Sequence, residues 1–184
     1  MSFEGISYRR ADNWFSVLPV TSEPIRYLEI GAFYGANLIS VNTTYASNPE
    51  SRMFCIDPWI DDESIYTTFC RNMEVNDVDK KLTVMRGFSH DMIPKLDDNS
   101  FDIIYIDGNH EPDAVLEDAV LAFRKLKVGG TMIFDDYGWG GPDLTQRGID
   151  AFCSAYHRRI DPSRQCINTQ LFVKKICDPI HIGL

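Results

Sequence analysis

From residue 26 onward, short apolar runs alternate with stretches that carry apolar residues at helical spacing. The runs RYLEI (26–30), RMFCI (52–56), KLTVM (81–85), FDIIYI (101–106) and GTMIFD (130–135) read as strands. Between them, residues 35–46, 61–76, 89–94, 111–127 and 145–160 read as helices. The helix over 111–127 is the most regular. Val115, Ala119, Ala122 and Leu126 share a face with Leu116, Val120 and Phe123. Pro112 suits its first turn, and Gly129 and Gly130 are expected to cap its end. FDIIYI and GTMIFD are nearly unbroken apolar runs, as expected for strands covered on both faces.

This alternation predicts an α/β protein with a mostly parallel sheet and helices on both faces. The stretch IDPSRQCINTQLFVKK (160–175) supplies two further strands, making seven. Whether that stretch also shapes a pocket or a dimer face is left open. There is no internal repeat, low-complexity tract or linker, so residues 1–184 are expected to form one domain. Residues 1–25 form a short amino-terminal segment before the first strand.

Composition narrows the function. The formal net charge is −9, with 44% hydrophobic and 24% charged residues. Nucleic-acid and anionic-membrane partners are disfavoured, because both need clustered Lys and Arg. No run approaches the roughly 20 apolar residues of a membrane span, and the amino terminus lacks the apolar core of a signal peptide. The five cysteines are scattered with no CxxC, which suits reduced thiols in a cytoplasmic protein.

In open α/β sheets, ligands bind beyond the carboxyl ends of the strands, and there the polar residues collect. The first strand carries Glu29 at its end and is followed by Gly31 and Gly35 in LEIGAFYGANL, a glycine turn opening a helix. Such a turn either needs positive φ for its own geometry or aims N–H groups at an anion. Asp57 follows the second strand. It is placed to accept from the ribose hydroxyls of a nucleoside, or to make an Asx turn before Pro58. Ser89 and His90 follow the third, Asp107 and His110 the fourth, and Asp135, Asp136 and Trp139 the fifth. Like charges about 4 Å apart repel by roughly 4 kcal/mol at an effective dielectric near 20. Three carboxylates at neighbouring strand ends therefore call for a hard cation, a shared proton or a cationic ligand.

In order and spacing, LEIGAFYGAN, IDP, RGFSHDMIPKL, FDIIYIDGNH and GGTMIFDDY resemble the class I S-adenosylmethionine-dependent methyltransferases of the divalent-metal, catechol-O-methyltransferase-like type. GFSHDMIP is the most specific part, since a bare doubly wound fold does not require it. The resemblance implies a Rossmann-like methyltransferase fold with S-adenosylmethionine as cofactor. It places Gly31 and Gly35 against the methionine part and Asn37 at its carboxylate, with Glu29 supporting the loop. Asp57 would take the ribose, and Ser89 and His90 would border the adenine. Asp107 would meet the cofactor's amino group and, with Asp135 and Asp136, hold Mg²⁺. His110 stands where the catechol enzymes carry a lysine base.

Two departures change the expected acceptor. Asp136 replaces the Asn of the catechol enzymes, and the short segment before the first strand leaves the acceptor site open. With Tyr137 and Trp139 nearby, the expectation is metal-assisted methyl transfer to a sugar or glycan hydroxyl. A catechol or other small phenol is the alternative, and a catalytically silent cofactor-binding partner subunit is a further one.

Overall fold

The structure is a computed structural model that describes residues 3–60 and 62–178. The chain forms two compact units, Met1–Lys95 and Leu96–Leu184.

In the first unit, β1 (Arg26–Ile30), β2 (Arg52–Asp57) and β3 (Leu82–Arg86) alternate with α1 (Ala36–Thr43), α2 (Glu63–Val75) and the one-turn α3 (Ser89–Met92). The strands are all parallel in the order β3-β2-β1, with Leu28 opposite Phe54 and Ile56 opposite Met85. Tyr27, Leu28, Glu29 and Ile30 are all buried, as the apolar run of β1 predicts. Asp62 caps α2 by accepting from the Ser64 N–H at 2.7 Å.

The second unit holds β4 (Phe101–Ile106), α4 (Pro112–Lys125), β5 (Leu126–Phe134), α5 (Thr145–Ala155), β6 (Gln165–Ile167) and β7 (Gln170–Lys174). The order here is β4-β5-β7-β6, with β4 and β5 parallel and the last two strands an antiparallel hairpin on β5. Asn168 and Thr169 turn that hairpin at positive φ, and two such residues are what a tight hairpin of matching twist requires. Seven strands, mostly parallel, alternate with helices as expected.

Three helix ends differ from the sequence reading. α4 stops at Lys125, and Gly129 and Gly130 lie inside β5 instead of capping the helix. The reason is tertiary: Leu126 already pairs with Phe101 of β4, and the Lys125 Nζ is drawn to the Leu96 carbonyl and Asp98. α1 stops at Thr43, where the Thr43 and Thr44 hydroxyls donate back to the Ser40 carbonyl, a habit that competes with continued helix. α5 stops at Ala155 because the following backbone is used elsewhere: Ile176 N–H donates to Arg159 and Asp161 N–H to Lys174.

Residues Arg10–Ser16 form a 3₁₀ turn that the apolar pattern did not announce. It buries Ala11 and Trp14 and packs on α1, where the Asn37 side chain accepts from the Ala11 N–H at 2.9 Å and Ser40 donates to Asp12.

Gly35 answers half of the question raised by LEIGAFYGANL. It opens α1 at φ 83°, and a Cβ there would lie 2.3 Å from Met73 Cε and 3.1 Å from the Phe69 ring. The glycine therefore serves both the turn and the close approach of α2. Gly35→Ala is expected to lower stability by about 1–3 kcal/mol, combining left-handed strain with overpacking. Urea unfolding would measure it, and a loss within 0.5 kcal/mol, roughly the scatter of neutral surface changes, would contradict the packing argument.

Candidate active site

The end of β1 is tied together by a buried polar network. Glu29, 1% exposed, accepts from the Tyr27 hydroxyl and from Asn37 Nδ2 at 3.0 Å. Asn37 Nδ2 also reaches the Tyr27 hydroxyl at 3.1 Å, and its carbonyl oxygen takes the Ala11 N–H. The polar atoms of Asn37 are thus engaged inside the protein, joining β1, α1 and the 10–16 turn. Tyr27 is a participant that motif reading passed over. Its signal was present: a tyrosine two residues before a strand-end acid shares that acid's face.

Asp57, at the end of β2, braces the glycine loop. One carboxylate oxygen accepts from the Ala32 and Phe33 N–H groups, each at 2.9 Å, and the other from the Trp59 N–H at 2.9 Å. The Trp59 indole N–H returns to the Phe33 carbonyl at 2.9 Å. Gly31 takes φ 84° and its N–H pairs with Ile56. A carboxylate has about four acceptor positions. With three used by backbone, the oxygen facing Trp59 retains room for one more donor. Ser89 starts α3, half-buried, while His90 is exposed, stacked on Phe88 at 5.6 Å and 3.6 Å from Asp91.

In the second unit, the parallel register of Ile106 with Phe134 brings Asp107 beside Asp135, and the Asp135 N–H donates to the Ile106 carbonyl at 3.0 Å. The side chains then divide. His110 Nε2 lies 3.3 Å from Asp136 and 3.7 Å from Asp107. Ligand atoms of Asp107, His110 and Asp136 all fall within 4.8 Å of one another. Asp135, 5% exposed, instead accepts from the Tyr105 hydroxyl at 2.6 Å. The side chains whose ligand atoms converge are therefore Asp107, His110 and Asp136, whereas the expected set was Asp107, Asp135 and Asp136.

Asp136 sits at φ 55°, and its carbonyl accepts from the Trp139 N–H at 2.9 Å and from Thr145. That turn carries the half-exposed Trp139 to His110, ring centroids 5.3 Å apart and edge to face. Tyr137 is directed elsewhere: its hydroxyl donates to Asp150 on α5 at 2.9 Å.

Burial lifts the Asp107 carboxyl to about 6; contact with His110 works against this, and the Asp135 and Asp136 carboxylates add to it. His110 is raised above its ordinary value by its contact with Asp107, against some desolvation, and further by Asp136 and Asp135. Both groups hold protons more tightly folded than unfolded. Their stabilising contribution is present below the unfolded values and lost as pH rises through about 6 for Asp107, and higher for His110. In EDTA, the drop in urea midpoint from pH 5 to pH 8 is expected to be larger for the wild type than for Asp107→Asn. Equal drops would contradict the charge coupling.

The sequence profile of the methyltransferase domain family matches residues 28–137, a stretch that runs through both units. An uncharacterized protein, R132, of Acanthamoeba polyphaga mimivirus is 27% identical over 119 residues. The match covers 62% of this chain and 52% of that protein, so the chain spans about half the length of this curated relative. Cofactor-bound Rv0187 from MTB superposes with a TM-score of 0.74 at 17% identity, covering 95% of this chain and 83% of that one. The O-methyltransferase TomG from Streptomyces achromogenes, solved with S-adenosylmethionine, gives 0.67 at 19% identity over 85% and 75% of the two chains. These likenesses show the Rossmann-like fold that the sequence led one to expect. By the profile match over residues 28–137, the chain belongs to the methyltransferase domain family.

Proposed function

We propose that the protein transfers the methyl group of S-adenosylmethionine to a hydroxyl oxygen of a saccharide. The observation that carries this reading is the His110 imidazole held against the carboxylates of Asp107 and Asp136, with the Trp139 indole at its edge. The glycine loop and Asp57 are assigned to the cofactor, and the His110 group to the acceptor hydroxyl. Asp107 and Asp136 make the imidazole more basic and orient the ring by holding its Nε2–H. As the hydroxyl oxygen attacks the methyl carbon, the carbon–sulfur bond breaks and its electron pair stays on sulfur. The hydroxyl proton passes to His110 Nδ1, because Nε2–H is directed at the Asp107 and Asp136 carboxylates. Trp139 offers an aromatic face to the C–H side of a sugar. The five free thiols support a cytoplasmic setting for this reaction, and no helix among the described residues is long and apolar enough to cross a membrane.

A second reading is favoured by the ligand-atom spacing of the same group. Two carboxylates and one imidazole fit a divalent cation, and the nitrogen donor suits Mn²⁺ as well as Mg²⁺. Bound there, a cation would supply Lewis acidity and lower the hydroxyl's pKa. In that case His110 is a ligand and not the base.

The test is label transfer from methyl-labelled S-adenosylmethionine to free and glycan-linked sugars, with catechols alongside, each in a divalent cation or in EDTA. Sugar labelling unaffected by EDTA is the expected result for a His110 base. Sugar labelling abolished by EDTA selects the cation reading. Catechol labelling would replace the proposed acceptor. Cofactor binding without any labelling, unchanged by alanine at Asp107 and His110, would indicate a silent cofactor-binding subunit.

A further inference from the structure

Behind the His110 group lies a set of buried side chains contributed by three strands. Tyr105 precedes Asp107 by two residues on β4, so both leave the strand on one face. Tyr105 is opposite Ile133 on β5, and Asp135 lies two residues beyond Ile133. On the other side of β5, Phe172 of β7 is opposite Ile133 and Leu171 opposite Phe134. The antiparallel register thus carries Gln170 to the level of Asp135. The period of two collects Tyr105, Asp107, Asp135 and Gln170 on one face at one end of the strands.

Their contacts form a directed chain. Gln170 Nε2 donates to the Tyr105 hydroxyl at 3.3 Å, and that hydroxyl donates to Asp135 Oδ2 at 2.6 Å. Asp107 Oδ2 is 3.5 Å from the same hydroxyl. Tyr105, Gln170 and Asp135 are 1%, 2% and 5% exposed. A phenol has one proton to give. With the Gln170 amide donating to its oxygen, that proton is directed to the carboxylates, where an O–H···O⁻ bond is short and strong.

We infer that Tyr105 and Gln170 are positioning residues: they hold Asp135 against the sheet and leave Asp107 and Asp136 to face His110. This rests on the reading of His110 as the working group of the site. It also gives the β6–β7 hairpin a part in the reaction through Gln170, although that hairpin carries none of the residues in the strand-end motifs. Without the phenol hydroxyl, the buried Asp135 carboxylate loses its 2.6 Å donor and is no longer held apart from the Asp107, His110 and Asp136 group.

The experiment is histidine side-chain NMR at one fixed pH on the full chain, comparing wild type, Tyr105→Phe and Gln170→Leu, with label transfer measured on the same samples. In Tyr105→Phe the His110 imidazole signals are expected to move while those of His90 and His157 stay. Gln170→Leu should move them the same way by less. Turnover should fall about 10–100-fold, as for other loss of supporting contacts, with KM for the cofactor within about two-fold. Unmoved His110 signals beside a lowered unfolding midpoint would overturn the inference and leave Tyr105 a structural residue. Unchanged turnover would also overturn it. If Tyr105→Phe does not fold, Gln170→Leu carries the same reading of the His110 signals. Moved signals in a protein whose wild type labels no acceptor would sustain the positioning role and remove the proposed reaction.

Discussion

Replacing His110 by alanine is expected to lower methyl transfer by about 10²–10⁴-fold, the usual contribution of a positioned acid or base. Binding of S-adenosylmethionine should stay within a few-fold, because the glycine loop is braced by Asp57 and the Glu29 network, to which His110 does not belong. The imidazole faces two carboxylates at 3.3 and 3.7 Å and is raised above its ordinary value by them. As a base it must be neutral, so the wild-type rate should climb with pH through a midpoint above about 6.5, the ordinary imidazole value. That limb should disappear in the alanine variant. Measured rates in His110→Ala within three-fold of wild type would remove His110 from the chemistry under either reading of the site. A matching loss in wild type on adding EDTA would assign the histidine to a cation instead of to the proton.

The largest expected loss of stability is at Lys175, whose contacts gather at the end of α4. This lysine is 1% exposed. Its ammonium group is within 2.7 Å of the Leu126 carbonyl and Asn99 Oδ1, 2.8 Å of Asp178 and 3.3 Å of the Phe123 carbonyl. A helix ends with carbonyls that have no partner inside it, and at α4 each of the last ones is met. Asn99 N–H takes Arg124, Ser100 N–H takes Lys125, and Lys175 takes Phe123 and Leu126. The positive charge also sits at the negative end of the helix dipole. Lys175→Met keeps most of the stem's volume but leaves buried carbonyls without their donor. The expected cost is about 3–5 kcal/mol, as for breaking other buried ionic hydrogen-bonded groups. Lys80→Met is the control: Lys80 is exposed and bonded to the equally exposed Asp77, and should cost less than about 1 kcal/mol. Urea unfolding of the two variants side by side checks this. Equal small losses would mean that water satisfies the α4 carbonyls.

The strand-end residues were legible because a strand end is marked by a change from apolar to polar that survives in one dimension. Asp57, Asp107 and Asp135 each close such a run, and the helix after Pro112 shows its period without help from the fold. What the linear pattern could not carry was the competition among partners. Leu126 reads as the last apolar residue of a helix, yet Phe101 claims it for a strand. Arg10–Ser16 has too few apolar residues to declare itself, and becomes an element because Asn37 and Ser40 reach out of α1 to hold it.

By itself, the sequence determined the α/β class, the seven strands and the places where polar residues gather, since burial on both faces demands apolar runs and strand ends interrupt them. Only the tertiary structure decided which of those polar residues work together. Five acids and two histidines of the expected site were equal in the linear pattern. In three dimensions Tyr105 claims Asp135, backbone N–H groups claim most of Asp57, and Asn37 is spent within the protein. Asp107 and Asp136 are left facing His110. The physical reason is that a carboxylate's role is set by which donors reach it once it is buried, and those donors come from strands and turns distant in the chain.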